Sequence, residues 1–149
     1  MFIDIEDLRQ EQVRVQHVYP LAELRLDHAD AALSRPVRTG FVLAHKAKDL
    51  HISGSVETAI QYKCSRCLRE CEQPVESHFE LLYLPQPKWL KVDDEIELRY
   101  DDMDIAYYDG IRFDVDLMVI EQIELSIPMK FVCRPDCKGL CFNCGVDLN

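Results

Sequence analysis

The sequence predicts an α+β fold, in which a mainly antiparallel β-sheet carries one packed C-terminal helix. Two observations lead to this prediction. Three consecutive segments in the middle of the chain alternate apolar and polar residues, and one segment near the C-terminus repeats its apolar residues every three or four positions. Alternation is typical of strands with one buried face, and the longer period is typical of a helix that packs along one side.

The first third of the chain carries short patterns only. Residues 11–19 alternate apolar and polar side chains, which predicts a strand. Residues 21–33 are expected to include a short helix that ends before Pro36, because the residue preceding a proline is disfavoured in the helical region.

The middle of the chain predicts an antiparallel meander with one buried face. Its three alternating segments are residues 37–43, 56–62 and 75–83. A turn is expected at 46–49, between the first two segments, and the cysteine-rich run 64–71 connects the second to the third. The first cysteine pair is therefore expected at the end of a hairpin.

An acidic stretch follows at residues 93–116, where ten acids face only Arg99 and Arg112. Residues 96–100 alternate within it and predict a strand. One interpretation is a solvated loop beside an edge strand, and the other is a docking face for a basic partner.

The predicted helix extends from Asp114 to Ile127. Asp114 or Asp116 is expected to cap its start, because a carboxylate accepts the free amide hydrogens there, and Pro128 is expected to end it. The expected buried stripe consists of Leu117, Ile120, Ile123 and Ile127.

The seven cysteines point to a metal rather than to disulfides. Their number is odd and the acidic N-terminus lacks the basic start of a secretion signal, so a reducing, cytoplasmic location is expected. Two Cys-x2-Cys pairs, 64–67 and 141–144, have the spacing that lets both sulfurs converge on one ion from a tight turn. Four thiolates suit a structural Zn²⁺, which completes the predicted fold with a four-cysteine zinc-knuckle site.

The spacing leaves the ligand set open. The favoured set is Cys64, Cys67, Cys141 and Cys144, which joins the hairpin tip to the C-terminal region. The alternative set uses Cys133 and Cys137, in a self-contained site formed by Cys133, Cys137, Cys141 and Cys144. Cys71 is expected to be a free or buried thiol. Buried reduced cysteines without a metal are a third interpretation.

No catalytic constellation stands out, so the chain is predicted not to be an enzyme. None of the five histidines belongs to a nucleophile motif, and no glycine-rich phosphate loop occurs. A thioredoxin-like redox pair would need a βαβ context, and a radical-enzyme iron–sulfur cluster would need a barrel after the cysteines. No membrane span and no small-molecule substrate are expected.

Basic residues surround both cysteine clusters, although the net charge is −10. They compensate thiolate charge in one interpretation, and in the other they contact RNA phosphates. The candidates for RNA contact are Arg66, Arg69, Arg134 and Lys138.

At these cysteines the sequence resembles the YceD family, the large ribosomal RNA subunit accumulation proteins. The resemblance is carried by residues 64–68, by Leu-Ser-Ile-Pro at 125–128, and by the runs 133–141 and 144–149. Cys64 and Cys67 match the family's first pair, and Cys133, Cys137, Cys141 and Cys144 match its second set. Phe142 stands where the family often has proline.

The resemblance implies a role in the synthesis, processing or stability of 23S ribosomal RNA, with no catalytic residue. The sequence is thus interpreted as a single YceD-like domain over residues 1–149 that acts by binding 23S ribosomal RNA or a large-subunit precursor. The alternative function is an acidic adaptor whose 93–116 face receives a basic ribosomal protein.

Overall fold

The structure, a computed structural model, describes residues 1–8, 12–46, 49–86, 105–108 and 111–149. A short 3-10 helix, Ile5–Leu8, follows the first strand. The strands and the α-helix have these bounds: β1 Phe2–Asp4, β2 Val13–Tyr19, β3 Ala31–Leu33, β4 Val37–Lys46, β5 Asp49–Lys63, β6 Glu70–Pro85, β7 Ile105–Tyr108, β8 Arg112–Asp114 and α1 Val115–Leu125.

Within the described residues, the larger sheet has six strands. Five of them follow the order β2-β4-β5-β6-β7, and β3 pairs with β5 off this path. β3 and β5 are antiparallel, with Ala32 opposite Gln61, whereas β6 and β7 are parallel. A second, two-stranded sheet pairs β1 with β8 in antiparallel register. The predicted α+β class, with an antiparallel-rich sheet and one C-terminal helix, is confirmed.

The predicted meander is confirmed as β4, β5 and β6, which are neighbours in the sheet. Two residues separate β4 from β5 and six separate β5 from β6, and such short connections permit only antiparallel pairing. The alternation in β4 is complete, because Val37, Thr39, Phe41 and Leu43 are all buried. The turn expected at 46–49 and the strand expected at 96–100 fall largely or wholly outside the described residues.

Two compact units make up the chain. The first comprises residues 1–17, 39–55 and 78–119, and the second comprises 18–38, 56–77 and 120–149. Within the first unit, Tyr83 packs edge-on against Phe113 with ring centroids 4.8 Å apart. The second unit contains all seven cysteines. The expectation of a single domain over 1–149 stays a prediction.

The helix prediction is confirmed in its position and its cap. The Asp114 carboxylate accepts hydrogen bonds from the amides of Asp116, at 3.0 Å, and Leu117, at 3.3 Å. The helix ends at Leu125, shortly before Pro128.

The expected buried stripe of the helix is partly wrong. Leu117 is 55% exposed, and the residues that α1 buries are Val115, Met118, Val119, Gln122 and Ile123. Ile123 belongs to both sets, so its burial is confirmed. The other buried positions lie beside the expected ones, because the apolar residues of this helix occupy more than one face.

The short helix expected within residues 21–33 is also wrong. Leu21, Ala22 and Glu23 form a turn, closed by the Glu23 amide donating to the Pro20 carbonyl at 3.0 Å. Ala31–Leu33 then forms β3. Pairing with β5 satisfies the backbone here, and this tertiary pairing overrides the local helical preference. The strand expected at 11–19 is confirmed as β2 over its described part.

Candidate metal centre

The first cysteine pair forms a tight knuckle at the tip of the β5–β6 hairpin, as the sequence predicts. The Cys64 amide donates to the Arg69 carbonyl and the Leu68 amide donates to the Cys64 carbonyl, each at 2.9 Å. Leu68 adopts a left-handed conformation with φ of 60°. This turn reverses the chain while placing Cys64 and Cys67 on its inner side, where both are buried.

The segment after α1 packs along this knuckle and delivers the second pair of thiols. Phe131 stacks on Tyr62 with ring centroids 4.7 Å apart, and the Tyr62 hydroxyl donates to the Val132 carbonyl at 3.3 Å. The Ser65 amide donates to the Phe131 carbonyl at 2.9 Å. These contacts fix the segment two residues before Cys133.

Four sulfurs meet where the knuckle and this segment touch. The Sγ atoms of Cys64, Cys67, Cys133 and Cys137 all lie within 4.8 Å of one another. Cys64 Sγ is 3.9 Å from Cys137 Sγ, and Cys67 Sγ is 3.7 Å from Cys133 Sγ. A tetrahedral zinc ion with bonds of about 2.3 Å holds its sulfurs about 3.8 Å apart. Two of the six sulfur–sulfur distances therefore match the edge of a zinc-thiolate tetrahedron, and we call these four thiols the four-thiol centre.

The thiols of the four-thiol centre differ in pKa, because backbone amides donate hydrogen bonds to Cys64 Sγ. The Cys67 amide, with those of Cys133 and Arg66, donates to Cys64 Sγ and lowers the pKa of that thiol to about 6, against the effect of burial. Burial, together with neighbouring thiols, raises the pKa of Cys133 to about 12. A metal would replace the protons of those thiols that are not already ionised.

All seven cysteines are free of disulfides. Cys71 is half-buried beside the four-thiol centre, and its thiol donates to the Arg69 carbonyl at 3.6 Å. The expectation for Cys71 is a free or buried thiol, and the structure has it as a half-buried free thiol.

The structure does not bring Cys141 and Cys144, favoured as the second ligand pair, to the four-thiol centre. They form a separate knuckle within the hairpin 139–148, which is closed by the Leu140–Asp147 bridge. The centre takes Cys133 and Cys137 from the alternative set, but combines them with Cys64 and Cys67. The reason is that residues 131–133 pack on the first knuckle. The candidate metal ligands are therefore Cys64, Cys67, Cys133 and Cys137.

Gly139 is a residue that sequence reasoning missed. It has a φ of 78°, and a Cβ added there would lie 2.8 Å from the Arg66 carbonyl oxygen. The neighbouring Leu140 amide donates to that same oxygen at 3.1 Å. A glycine between two cysteines is the signal that could have identified this close approach of two backbones.

The four residues proposed for RNA contact also make contacts within the protein. Arg66 donates to the Cys137 carbonyl at 2.7 Å, and Arg69 pairs with Asp147 at 3.1 Å. Arg134 pairs with Asp136 at 3.4 Å and donates to the Asn149 side chain. The Lys138 backbone amide donates to that same Asn149 oxygen at 2.8 Å, and its side chain is exposed.

The guanidinium of Arg69 also acts on the thiols. Asp147 raises the pKa of Arg69, and Cys67 and Cys133 add to the effect. Compensation of thiolate charge by the surrounding basic residues stays a prediction.

Comparison with known proteins identifies a family for the cysteine-containing part of the chain. Residues 52–149 match the sequence model of the family described as large ribosomal RNA subunit accumulation protein YceD. The chain belongs to the YceD family. The matched range contains every cysteine of the four-thiol centre and of the second knuckle.

Relatives in plants and bacteria share moderate identity with this YceD-family chain. A maize protein named large ribosomal RNA subunit accumulation protein YCED homolog 1, chloroplastic, is 29% identical over 87% of this chain and 51% of its own length. The Arabidopsis thaliana protein of that name is 27% identical over 76% and 42%. An uncharacterised Mycobacterium leprae protein is 25% identical over 91% and 60%.

The chain thus spans about half the length of the plant relatives. No solved structure matches it significantly. Among the described residues, no helix combines the length and the apolarity that crossing a membrane requires.

Proposed function

We propose that this chain is a non-enzymatic ribosome-biogenesis factor that supports the synthesis, processing or stability of 23S ribosomal RNA. Family membership and the plant relatives' names support the link to large-subunit ribosomal RNA. The observation that carries the structural part is the four-thiol centre, whose sulfur spacing suits one Zn²⁺. We propose cytoplasm as its location.

In this proposal the zinc ion is architectural. Cys64 and Cys67 belong to the β5–β6 hairpin, and Cys133 and Cys137 belong to the segment after α1. The ion would therefore cross-link two parts of the chain that are distant in sequence. Four thiolates leave no open position for substrate or water, which distinguishes a structural zinc from a catalytic one.

The test of function replaces the gene in its host with variants of the four-thiol centre. We expect Cys64→Ser and Cys133→Ser to lower the ratio of 23S to 16S ribosomal RNA and to deplete large subunits in sucrose gradients. Cys71→Ser is the matched control, since Cys71 adjoins the centre but lies outside the group of four. An unchanged ratio after complete deletion of the gene would refute the proposal.

Direct RNA contact is the finer part of the proposal. The exposed Lys138, with the outward edges of Arg66, Arg69 and Arg134, would contact phosphate. We expect Lys138→Gln to weaken binding of 23S fragments. The slope of log binding constant against log salt concentration should fall by about one, the value of one phosphate contact. Lys46→Gln, an exposed lysine at the end of β4, should leave binding unchanged. Equal effects of the two variants would argue against a specific phosphate surface.

A second candidate is the adaptor for a basic ribosomal protein, which the net charge of −10 favours. Charge reversal within residues 93–104, which lie outside the described residues, separates the two functions. It should abolish capture of a ribosomal protein in the adaptor hypothesis and strengthen RNA binding in the other.

A further inference from the structure

The knuckle that the four-thiol centre leaves out, Cys141–Cys144, has the same backbone hydrogen bonds as the knuckle at Cys64–Cys67. In the first knuckle, the amide of the leading cysteine donates to the carbonyl five residues later, and its carbonyl accepts from the amide four residues later. In the second, the Cys141 amide donates to Val146 at 2.8 Å and the Gly145 amide donates to Cys141 at 2.9 Å. The two turns are therefore copies of one local structure.

The correspondence extends to the left-handed residue and to the sulfurs. Gly145, one position after the second cysteine, has a φ of 73°, as Leu68 has 60° in the first knuckle. The amides of Cys144 and Asn143 donate to Cys141 Sγ, just as the amides of Cys67 and Arg66 donate to Cys64 Sγ. The second knuckle thus stabilises a thiolate in the same way as the one that takes part in the four-thiol centre.

This second knuckle has two thiols, and the described residues add no further ligand to it. Among the described residues, the only group of three or more metal-ligating side chains is the four-thiol centre, and Cys141 and Cys144 are not in it. Cys141 is half-buried and Cys144 is exposed. Any metal bound there must complete its coordination with donors from outside the described chain.

We infer that Cys141 and Cys144 form a two-thiolate half-site for a soft divalent cation such as Zn²⁺, which the same knuckle of a second copy of this chain completes. A two-fold axis sets a surface against its own copy, so that two thiolates become the four that tetrahedral zinc prefers. The surrounding surface suits such a contact, because Phe142 is fully exposed and Val146 and Leu148 are about half exposed.

The acidity of the chain opposes this contact only in part. Two chains of net charge −10 repel each other. The basic residues Arg69, Arg134 and Lys138, however, contact the hairpin 139–148 or Asn149, which follows it. Dimerisation is therefore expected to require the metal, and to strengthen when salt screens the repulsion between the acidic surfaces.

The test counts metal and mass on the full chain, purified under reducing conditions with Zn²⁺ present. We expect about 1.5 zinc ions per chain and a dimer by light scattering, since each dimer would hold one ion in each four-thiol centre and one shared ion. The double variant Cys141→Ser/Cys144→Ser should bind about 1.0 ion per chain and be monomeric. Cys71→Ser should behave as the unmodified chain does.

A cobalt titration of the unmodified chain gives a result that does not depend on the folding of a variant. Tetrahedral thiolate absorption should keep rising beyond one equivalent and level off near about 1.5 equivalents. A plateau at one equivalent with a monomeric chain would overturn the inference. So would a double variant that loses the first ion, because Cys141 and Cys144 would then belong to the first centre. Absence of any ion from the four-thiol centre, by contrast, would count against the proposed structural zinc.

Discussion

The main-chain carbonyl oxygen of Phe131 accepts two hydrogen bonds from Ser65, one from the amide at 2.9 Å and one from the hydroxyl at 2.7 Å. Ser65 lies inside the first Cys-x2-Cys pair, and Phe131 lies two residues before Cys133. These two hydrogen bonds to one oxygen join the hairpin tip to the segment that supplies the other two thiols.

Removing the hydroxyl should therefore weaken the four-thiol centre. We expect Ser65→Ala to lower the free energy of unfolding by about 1 kcal/mol, the usual net value of a hydrogen bond. Urea denaturation measures the change, and Ser53→Ala, on an exposed position of β5, is the control. Equal stability of the two variants would show that the hydroxyl bond contributes nothing.

Gly139 and Gly145 both have positive φ, so comparing their alanine variants isolates the effect of the close backbone contact at Gly139 on stability. Gly145→Ala should cost roughly 1–2 kcal/mol, the cost of placing an L-residue in the left-handed region, because no atom lies near its added Cβ. Gly139→Ala has the same backbone cost and also meets the Arg66 carbonyl oxygen at 2.8 Å. Thermal denaturation should show a larger loss for Gly139→Ala, and equal losses would rule out a contribution from that contact.

Leu68 gives the opposite prediction in the first knuckle. It has a φ of 60° although it is not glycine, and its side chain is 61% exposed. Leu68→Gly should raise the free energy of unfolding by about 0.5 kcal/mol, since relief of the left-handed cost exceeds the entropy that glycine adds to the unfolded chain. Leu68→Ala retains the Cβ and controls for loss of the side chain. A glycine variant less stable than the alanine variant would contradict this.

Metal binding should release protons in a number that depends on pH. Cys64, with a pKa lowered to about 6, is mostly ionised at pH 7, whereas the raised pKa of Cys133 keeps that thiol protonated. We expect fewer than four protons released per zinc ion at pH 7, and a number that rises towards four at pH 5. Calorimetry in buffers of different ionisation enthalpy measures this number. A number that is constant between pH 5 and 7 would contradict the lowered pKa of Cys64.

The pKa of Cys64 also fixes the sign of one contribution to stability in the metal-free protein. A thiol whose folded pKa lies below the ordinary value of 9.0 stabilises the fold above that value. This contribution falls as pH drops towards about 6. For Cys133, whose pKa is raised, the sign reverses, and stability is lost as pH rises above 9.0.

Local patterns predicted the long strands and the helix, but they did not predict the short strands β1, β3, β7 and β8. The alternation around Phe41 and Ile60 identified β4 and β5, and the spacing of Cys64 and Cys67 identified the knuckle between β5 and β6. These features depend on neighbours in the chain, which a sequence displays directly.

Which distant segments meet was harder to predict. Spacing marked both 64–67 and 141–144 as knuckles, and both have that structure, but spacing does not say which of them share an ion. That choice depends on the stacking of Phe131 on Tyr62, a contact between residues 69 positions apart that places Cys133 rather than Cys141 at the centre. The predicted burial of Leu117 was wrong for a similar reason, because several faces of α1 carry apolar residues.

The separation of the thiols along the chain sets an order of events during synthesis. Cys67 and Cys133 are 66 positions apart, and a ribosome releases its product from the N-terminal side first. The hairpin thiols would therefore leave the exit tunnel long before their partners have been translated. A nascent chain at that stage would have only half of the coordination sphere, so ion capture by all four sulfurs would be a late step in its maturation.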